Sequence, residues 1–225
     1  MSDTHSKHNQ LTTDLMNMYY EHGDDIIVLH GGDVSNIGYI GEINNFTNWL
    51  SELPFKYKVF IAGNHDFGFE DVHNNIGPEI VIPQGVVYLQ DEMVEVNGVK
   101  IYGSPWQPRF YDWAFNVDRG DAIAKKWELI PSETDIVITH GPVHGIVDVT
   151  PYGLNVGCEE LYKKIIDIKP KIHLSGHIHH SRGITEFNKT LFVNGCCLDE
   201  RYQYSNKPFL IEYDMETRDW EVLNH

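Results

Sequence analysis

The chain has 225 residues, of which 41% are hydrophobic and 12% aromatic, a composition typical of a folded globular protein and not of a disordered one. Its 33 acidic residues outnumber 17 basic ones, and the resulting formal charge of −16 disfavours a nucleic-acid or anionic-lipid partner. Its 3 cysteines are too few for a disulfide framework, and no apolar run approaches the roughly 18 residues of a membrane span, so we expect a cytoplasmic protein with reduced thiols.

The predicted elements alternate between helices and strands through most of the chain. Apolar residues recur at helical spacing in four segments, at 11–21, 39–52, 121–129 and 157–168. β-branched and aromatic runs predict buried strands at 25–30, 57–62, 86–89, 135–139 and 171–175. Asn97-Gly98 predicts a tight hairpin turn between strands at 93–96 and 99–102. Helix-breaking residues make 67–84 loop-like, and 103–113 is an irregular segment rich in aromatic residues and proline.

The last part of the chain is predicted to be a meander of strands, at 182–187, 190–195, 208–214 and 219–223. Helices that alternate with strands early, followed by strands alone, predict an α/β class that shades into layered mixed sheets. No repeat, low-complexity tract or linker divides the sequence. We therefore expect a single domain over 1–225.

Side chains that can bind metal ions stand at five strand ends. They are Asp3 and His5, Asp33, Asn64 and His65, His140, and finally His177 and His179. Because ligands gather outside the carboxyl ends of strands in α/β proteins, we expect these side chains on one rim. Apart from His65, the set suits two metal ions that share one carboxylate. Such a pair of ions stabilises the attacking and the leaving oxygen when a phosphoryl group is displaced. Histidine and carboxylate ligands without cysteine point to manganese, iron or zinc.

The order of these motifs is recognisable. Asp3-x-His5, Gly32-Asp33, Gly63-Asn64-His65-Asp66, Thr139-His140-Gly141 and Gly176-His177-x-His179 resemble the five motifs of the calcineurin-like metallophosphoesterases. The stretch 102–116 and Thr139-His140-Gly141-Pro142 look more particularly like the MPPED (metallophosphoesterase-domain-containing) type. The resemblance covers nearly the whole chain. It implies a four-layer α/β/β/α sandwich of two mixed β-sheets flanked by helices, with a dimetal site at the carboxyl rim of the strands.

The resemblance also implies a role for each motif residue. The first metal ion would be held by Asp3, His5, Asp33 and His179. The second would be held by Asp33, Asn64, His140 and His177, so that Asp33 bridges. His65 would assist the leaving group, and Asp66 would orient His65. The cofactors are expected to be two divalent ions, manganese first, with iron, zinc or nickel as alternatives.

The function that the resemblance implies is hydrolysis of a small phosphoester by a hydroxide held between the two ions. We expect phosphodiesters, cyclic nucleotides among them, in preference to monoesters. The alternative is a protein-binding scaffold that keeps the fold and makes little use of the metals. The complete ligand set and the retained His65 disfavour the scaffold. Assembly into a homo-oligomer is left open.

Two further residues, Trp106 and Arg109, are candidate substrate contacts. Trp106 and the aromatic residues that follow it could stack on a nucleotide base, but such a cluster can equally form the packed core of a loop. Arg109 could bind a phosphate group or pair with one of the many surface carboxylates.

The first motif has only Met1 and Ser2 before Asp3, whereas the family's first motif follows a hydrophobic strand. On this basis we expect a first β-strand that is truncated before Asp3. A chain terminus without strand pairing tends to fray. We therefore expect Asp3 and His5 to be the least secure ligands, and the first metal ion to bind more weakly than the second.

Overall fold

The computed structural model describes residues 1–224. Its α-helices are α1 (Thr12–His22), α2 (Ile40–Glu52), α3 (Phe67–His73), α4 (Asp121–Glu128) and α5 (Glu159–Ile168). The strands of the first half are β1 (Ile27–His30), β2 (Tyr57–Phe60), β3 (Val87–Tyr88), β4 (Glu92–Val96), β5 (Val99–Ser104), β6 (Gln107–Pro108) and β7 (Asn116–Val117). Those of the second half are β8 (Ile136–Thr139), β9 (Ile172–Ser175), β10 (Gly183–Phe187), β11 (Thr190–Asn194), β12 (Ile211–Tyr213) and β13 (Trp220–Val222). None of the helices within 1–224 is long and apolar enough to cross a membrane.

Two sheets form the centre of the fold. The first has the order β1-β2-β3, with parallel pairs throughout. The second has the order β10-β11-β9-β8-β5-β4; its inner strands are parallel, and its edge strands β4 and β10 pair antiparallel with their neighbours. The second sheet is mixed as expected, while the first is parallel.

The period of two along each strand sorts its side chains between two apolar clusters. Val59 and Ile61 from the first sheet share a cluster with Ile101, Ile138 and Leu174 from the second, so the two sheets pack face to face. Side chains on the opposite faces of the strands belong to the second apolar cluster. This cluster also contains the buried residues of the helices. Helices therefore cover both outer faces, and the predicted four-layer sandwich is confirmed.

The N-terminal segment is paired on both sides, and the expected fraying is therefore wrong. The Asp3 backbone N–H donates to the carbonyl oxygen of Gly32 over 2.9 Å, just beyond the end of β1. On the other side, Ser2 accepts a 3.0 Å hydrogen bond from the Cys197 N–H, just beyond β11. Asp3 and His5 are both fully buried, at 0% and 1% exposure. Their backbone is held as firmly as that of the other motifs, which removes the basis for a weak first metal site.

The segment predicted to be loop-like at 67–84 begins instead with helix α3. Phe69 of this helix is buried and stacks on Tyr88 of β3 at a ring distance of 4.4 Å. It also contacts Phe60 of β2 at 5.8 Å. Packing against the first sheet thus stabilises a helix too short to be recognised from its own periodicity.

Candidate metal centre

The structure brings the seven candidate ligands and His65 together beyond the carboxyl ends of four parallel strands. Asp33 follows β1, Asn64 follows β2, His140 follows β8 and His177 follows β9. The paired N-terminal segment adds Asp3 and His5 beside them, and His179 opens a short 3₁₀ turn.

Asp3, His5 and His179 form one group of ligand atoms that lie within 4.8 Å of one another. The His179 Nε2 atom is 3.5 Å from Asp3 Oδ1. The His5 Nε2 atom is 4.0 Å from the same oxygen and 3.6 Å from Asp33 Oδ2. The His179 ring is oriented through its other nitrogen, which donates to the backbone carbonyl of Leu198 at 3.0 Å. These four side chains are the set expected to hold the first ion.

Asn64 connects the second group. Its side-chain oxygen accepts from His140 Nε2 and from His177 Nδ1, both at 2.8 Å. The His140 Nε2 atom also lies 3.4 Å from Asp33 Oδ2, the oxygen that faces His5. Asp33 therefore stands between the two groups, in the position that a bridging carboxylate requires.

The backbone at the ligands bends sharply and leaves no spare room. Asp3, Asp33 and His177 have positive φ angles of 55°, 55° and 66°, which are rare for residues with side chains and common at functional sites. A Cβ atom added to Gly63 would lie 2.3 Å from Asp33 Oδ1 and 2.6 Å from the His140 ring. The glycines of the motifs are thus part of the site, because they let the strand ends approach one another closely.

Several observations test whether these residues fit metal ions. His5 is buried, and neither of its ring nitrogens has a hydrogen-bond partner within residues 1–224. The buried carboxylates of Asp3 and Asp33 face imidazoles, with no lysine or arginine among their ion pairs in the described chain. Buried charges and buried polar groups without partners are costly unless they are paired or coordinate metals. The donor set of carboxylate, amide oxygen and imidazole therefore fits two divalent cations.

The protonation states in the metal-free protein differ among the imidazoles. Desolvation lowers the pKa of His5 to about 4 and that of His177 to about 3, so both are neutral at pH 7 and ready to bind metal. His140 is the exception: although burial favours its neutral form, Asp33 raises its pKa to about 9. Its two ring nitrogens both donate, Nδ1 to the Gly31 carbonyl at 2.9 Å and Nε2 to Asn64. An imidazolium thus provides the positive charge that Asp33 requires.

Metal binding at His140 must displace this proton. We expect the apparent affinity for Mn²⁺ to rise roughly tenfold per pH unit between about pH 6.5 and 8, below the raised pKa of His140. Isothermal titration calorimetry in buffers of different ionisation enthalpy should detect the release of about one proton. An affinity that does not change with pH, or no proton release, would contradict the assignment.

His65 lies beside the ligands, but its partner is not the expected one. Its Nδ1 donates to the backbone carbonyl of Asn36 at 2.6 Å, and its Nε2 is 4.0 Å from Asp33 Oδ2. Asp66 makes no hydrogen bond to the His65 side chain within residues 1–224. Its carboxylate instead accepts from the backbone N–H groups of Ser35 at 2.9 Å and Gly63 at 2.8 Å. Asp66 therefore ties the turn after β1 to the turn after β2, and the Asn36 carbonyl orients His65.

The side chains of the two expected substrate contacts are engaged with other residues of the protein. Trp106 is 8% exposed; its indole N–H donates to Asp91 at 2.7 Å, and the Lys126 ammonium lies 3.7 Å from the centre of its ring. Arg109 is paired with Asp118 at 2.6 Å. Trp106 therefore lies in the packed core of its loop, and Arg109 forms an ion pair at the surface.

Other aromatic residues line the centre in their place. Trp113 packs on His65 with ring centres 4.2 Å apart, and Phe110 meets the edge of His177 at 5.9 Å. Tyr202 lies 4.7 Å from His5 by the same measure. The aromatic segment at 103–113 was a signal for the first two. No sequence pattern pointed to Tyr202, which reaches the site from the loop after β11.

A four-layer sandwich with carboxylate, amide and imidazole ligands at its strand ends defines a metallophosphoesterase. The model of the calcineurin-like phosphoesterase family matches residues 1–181, and the chain belongs to this family of metal-dependent phosphoesterases. It is 38% identical over 234 aligned residues to human metallophosphoesterase domain-containing protein 1, covering 94% of this chain and 69% of that protein.

Solved structures share the fold at low sequence identity. The protein TT1561 of Thermus thermophilus superposes with a TM-score of 0.64 at 16% identity, over 100% of this chain and 96% of its own. The phosphopantetheinyl hydrolase PptH of Mycobacterium tuberculosis gives 0.56 at 13% identity, over 90% of this chain and 89% of its own. These similarities support the architecture of the sandwich.

Proposed function

We propose that this phosphoesterase hydrolyses phosphodiesters, namely cyclic nucleotides or related small diesters, with manganese as its preferred ion. The observation that carries the proposal is the placement of His65 beside the ligand groups. Its side chain is 15% exposed, and its Nε2 atom faces Asp33, the carboxylate that the two groups share. An imidazole at this place can reach an oxygen of a bound phosphoester.

The two ions would be held by the groups described above, Asp3, His5, His179 and Asp33 for one, and Asp33, Asn64, His140 and His177 for the other. When bound, they supply Lewis-acid charge to the phosphoryl oxygens and lower the pKa of water. Burial of Asp3, Asp33 and Asn64 keeps bulk water from their oxygens and would hold these oxygens in place for such ions.

His65 provides proton transfer to the leaving group. Because its Nδ1–H is held by the Asn36 carbonyl, any second proton resides on Nε2, which faces the site. Nε2 can pass that proton to the leaving alkoxide oxygen, a contribution of typically 10²–10⁴-fold in rate. Trp113 packs against the ring and limits its rotation.

The charges around the site favour a diester. A monoester carries up to two negative charges at neutral pH and a diester carries one. Three of the arginines are held by other groups of the protein: Arg109 by Asp118, Arg119 by Glu159, and Arg182 by the Lys207 carbonyl. A formal charge of −16 adds to the repulsion of a dianion.

The aromatic residues at the rim provide surface for the organic part of such a substrate. Phe110 is 48% exposed and Tyr202 is 40% exposed, so both keep free ring area next to the ligand histidines. A nucleobase or another flat group can pack on such rings.

The proposal is tested by assaying bis-p-nitrophenyl phosphate, p-nitrophenyl phosphate and a panel of cyclic nucleotides with Mn²⁺, Zn²⁺ or Ni²⁺. We expect kcat/KM to be at least about tenfold higher for the diesters than for the monoester, a difference of about 1.4 kcal/mol in the barrier. The highest activity is expected with Mn²⁺. A preference for the monoester would refute the diester assignment, and metal binding without any turnover would favour the scaffold alternative.

His65→Gln should separate the role of this residue from the general integrity of the site. We expect kcat for diesters with poor, alkoxide leaving groups to fall about 10²–10⁴-fold, because those groups need the proton. The loss for p-nitrophenolate, which leaves readily as an anion, should be much smaller.

His22→Gln is the matched control for this comparison, since His22 is exposed at the end of α1, away from the ligand groups. It should leave kcat within about twofold for both leaving groups, as surface substitutions away from structural features have small effects. An equal loss for good and poor leaving groups in His65→Gln would argue against proton donation.

A further inference from the structure

Asp3 differs from the other ligands in how completely one of its oxygens is occupied by the protein. Its Oδ2 atom accepts from the Ser2 hydroxyl at 2.5 Å and from the Cys196 thiol at 3.2 Å, and the His177 backbone N–H lies 3.0 Å from both carboxylate oxygens. Its Oδ1 atom faces His179 Nε2 at 3.5 Å. The two side-chain donors, Ser2 and Cys196, thus reach only one of the two carboxylate oxygens.

The surroundings of Oδ2 are closed to solvent. Ser2, Asp3 and Cys196 are all 0% exposed. A Cβ atom on Gly176 would lie 2.0 Å from Asp3 Oδ2 and 2.1 Å from the Ser2 hydroxyl oxygen, so the backbone closes this side of the carboxylate. A lost side-chain donor would therefore leave a buried carboxylate oxygen short of a hydrogen bond.

We propose that Cys196 is a positioning residue of the first metal site: its thiol, together with the Ser2 hydroxyl, holds Oδ2 so that Asp3 presents Oδ1 to the ion. Residues that orient a ligand in this way typically change metal affinity 10–100-fold when removed. The inference rests on the metal centre of the proposed function and not on its diester preference.

The neighbouring Cys197 provides a natural comparison. It is equally buried and next in sequence, but its thiol points to the Gly195 carbonyl at 3.5 Å and its side chain belongs to the apolar core. Removing its sulfur disturbs packing close to the centre without removing a donor to Asp3. The two cysteines therefore separate hydrogen bonding from packing.

The test measures Mn²⁺ binding by calorimetry in the full chain for three variants, Cys196→Ala, Cys196→Ser and Cys197→Ala. A phosphine keeps the cysteines reduced, because a thiol reductant would compete for the metal. For Cys196→Ala we expect one of the two ions to bind at least about tenfold more weakly. Cys196→Ser, which restores a donor, should bind within about threefold of the wild type, and so should Cys197→Ala. Binding is read without turnover, so a failed diesterase assay leaves this result independent.

Two results would overturn the proposal: unchanged affinity in Cys196→Ala, or an equal loss in Cys197→Ala, which would assign the effect to packing. The melting temperature of each metal-free variant checks that it folds. If Cys196→Ala does not fold, Ser2→Ala decides the matter, because it removes the other side-chain donor and keeps the thiol. It should weaken the same ion about tenfold, and wild-type affinity there would also overturn the proposal.

Discussion

Asp33→Asn is expected to lower kcat/KM by at least about 10³-fold, equivalent to about 4 kcal/mol of barrier. One oxygen of this buried carboxylate lies 3.6 Å from His5 and 3.4 Å from His140, and so serves both ligand groups. An amide keeps the size of the side chain but removes the charge that two adjacent cations need between them. Both ions should therefore bind weakly. Loss of a ligand that serves only one group should weaken the binding of one ion.

The measurement is metal content after dialysis together with kcat/KM at saturating Mn²⁺. Asp118→Asn is the matched control, because it makes the same chemical change at an exposed carboxylate paired with Arg109. It should retain two ions per chain and activity within about twofold. Retention of both ions in Asp33→Asn, with activity within tenfold, would show that Asp33 is not shared between them.

Gly63→Ala should have the next largest effect, although it adds only one methyl group. The new Cβ would meet Asp33 Oδ1 at 2.3 Å and the Asp33 backbone nitrogen at 2.5 Å, distances that force Asp33 or the turn to move. Overpacking of this kind typically costs about 1–3 kcal/mol in the free energy of unfolding. A displaced Asp33 should also lower kcat/KM by about 10²-fold, since errors of about 1 Å are costly in an organised site.

Gly41→Ala is the control for the loss of a glycine. Gly41 lies in α2, and within residues 1–224 no atom beyond its chain neighbours and the helix's own backbone lies within 4 Å of the added Cβ. Since alanine is favoured over glycine in a helix, this variant should gain about 0.5–1 kcal/mol in the free energy of unfolding, with unchanged activity. Urea denaturation and initial rates decide the comparison. A fully active Gly63→Ala would mean that the two strand ends can move apart without loss of function.

The sequence predicted which residues gather at the centre because the relevant information is local. A buried strand followed at once by a polar ligand, as at Asn64 after β2 or His140 after β8, places the ligand at the carboxyl edge whatever the rest of the chain does. Five such strand ends in the family's order also identified the sandwich.

The contacts that the sequence did not predict depend on partners distant in the chain. Arg109 could reach a phosphate or a surface carboxylate, and only the tertiary structure shows that Asp118 takes it. His65 is oriented by the carbonyl of Asn36, 29 positions away, whereas the adjacent Asp66 was the natural guess. Tyr202 belongs to a loop with no periodicity, so no pattern places it over His5.

The pairing of the N-terminal segment between two strand ends also has a consequence for how the centre forms. The Asp3 carboxylate meets the backbone of His177 across 174 positions of sequence, and the His140 ring meets the Gly31 carbonyl across 109. Contacts this remote form only after long loops have closed, which is a slow step of folding. An ion at the first group is therefore not expected to nucleate the fold, because the segment that carries Asp3 is positioned by contacts to both sheets. Uptake of that ion during refolding should follow the burial of the core, and can serve as a probe of the last stage of folding.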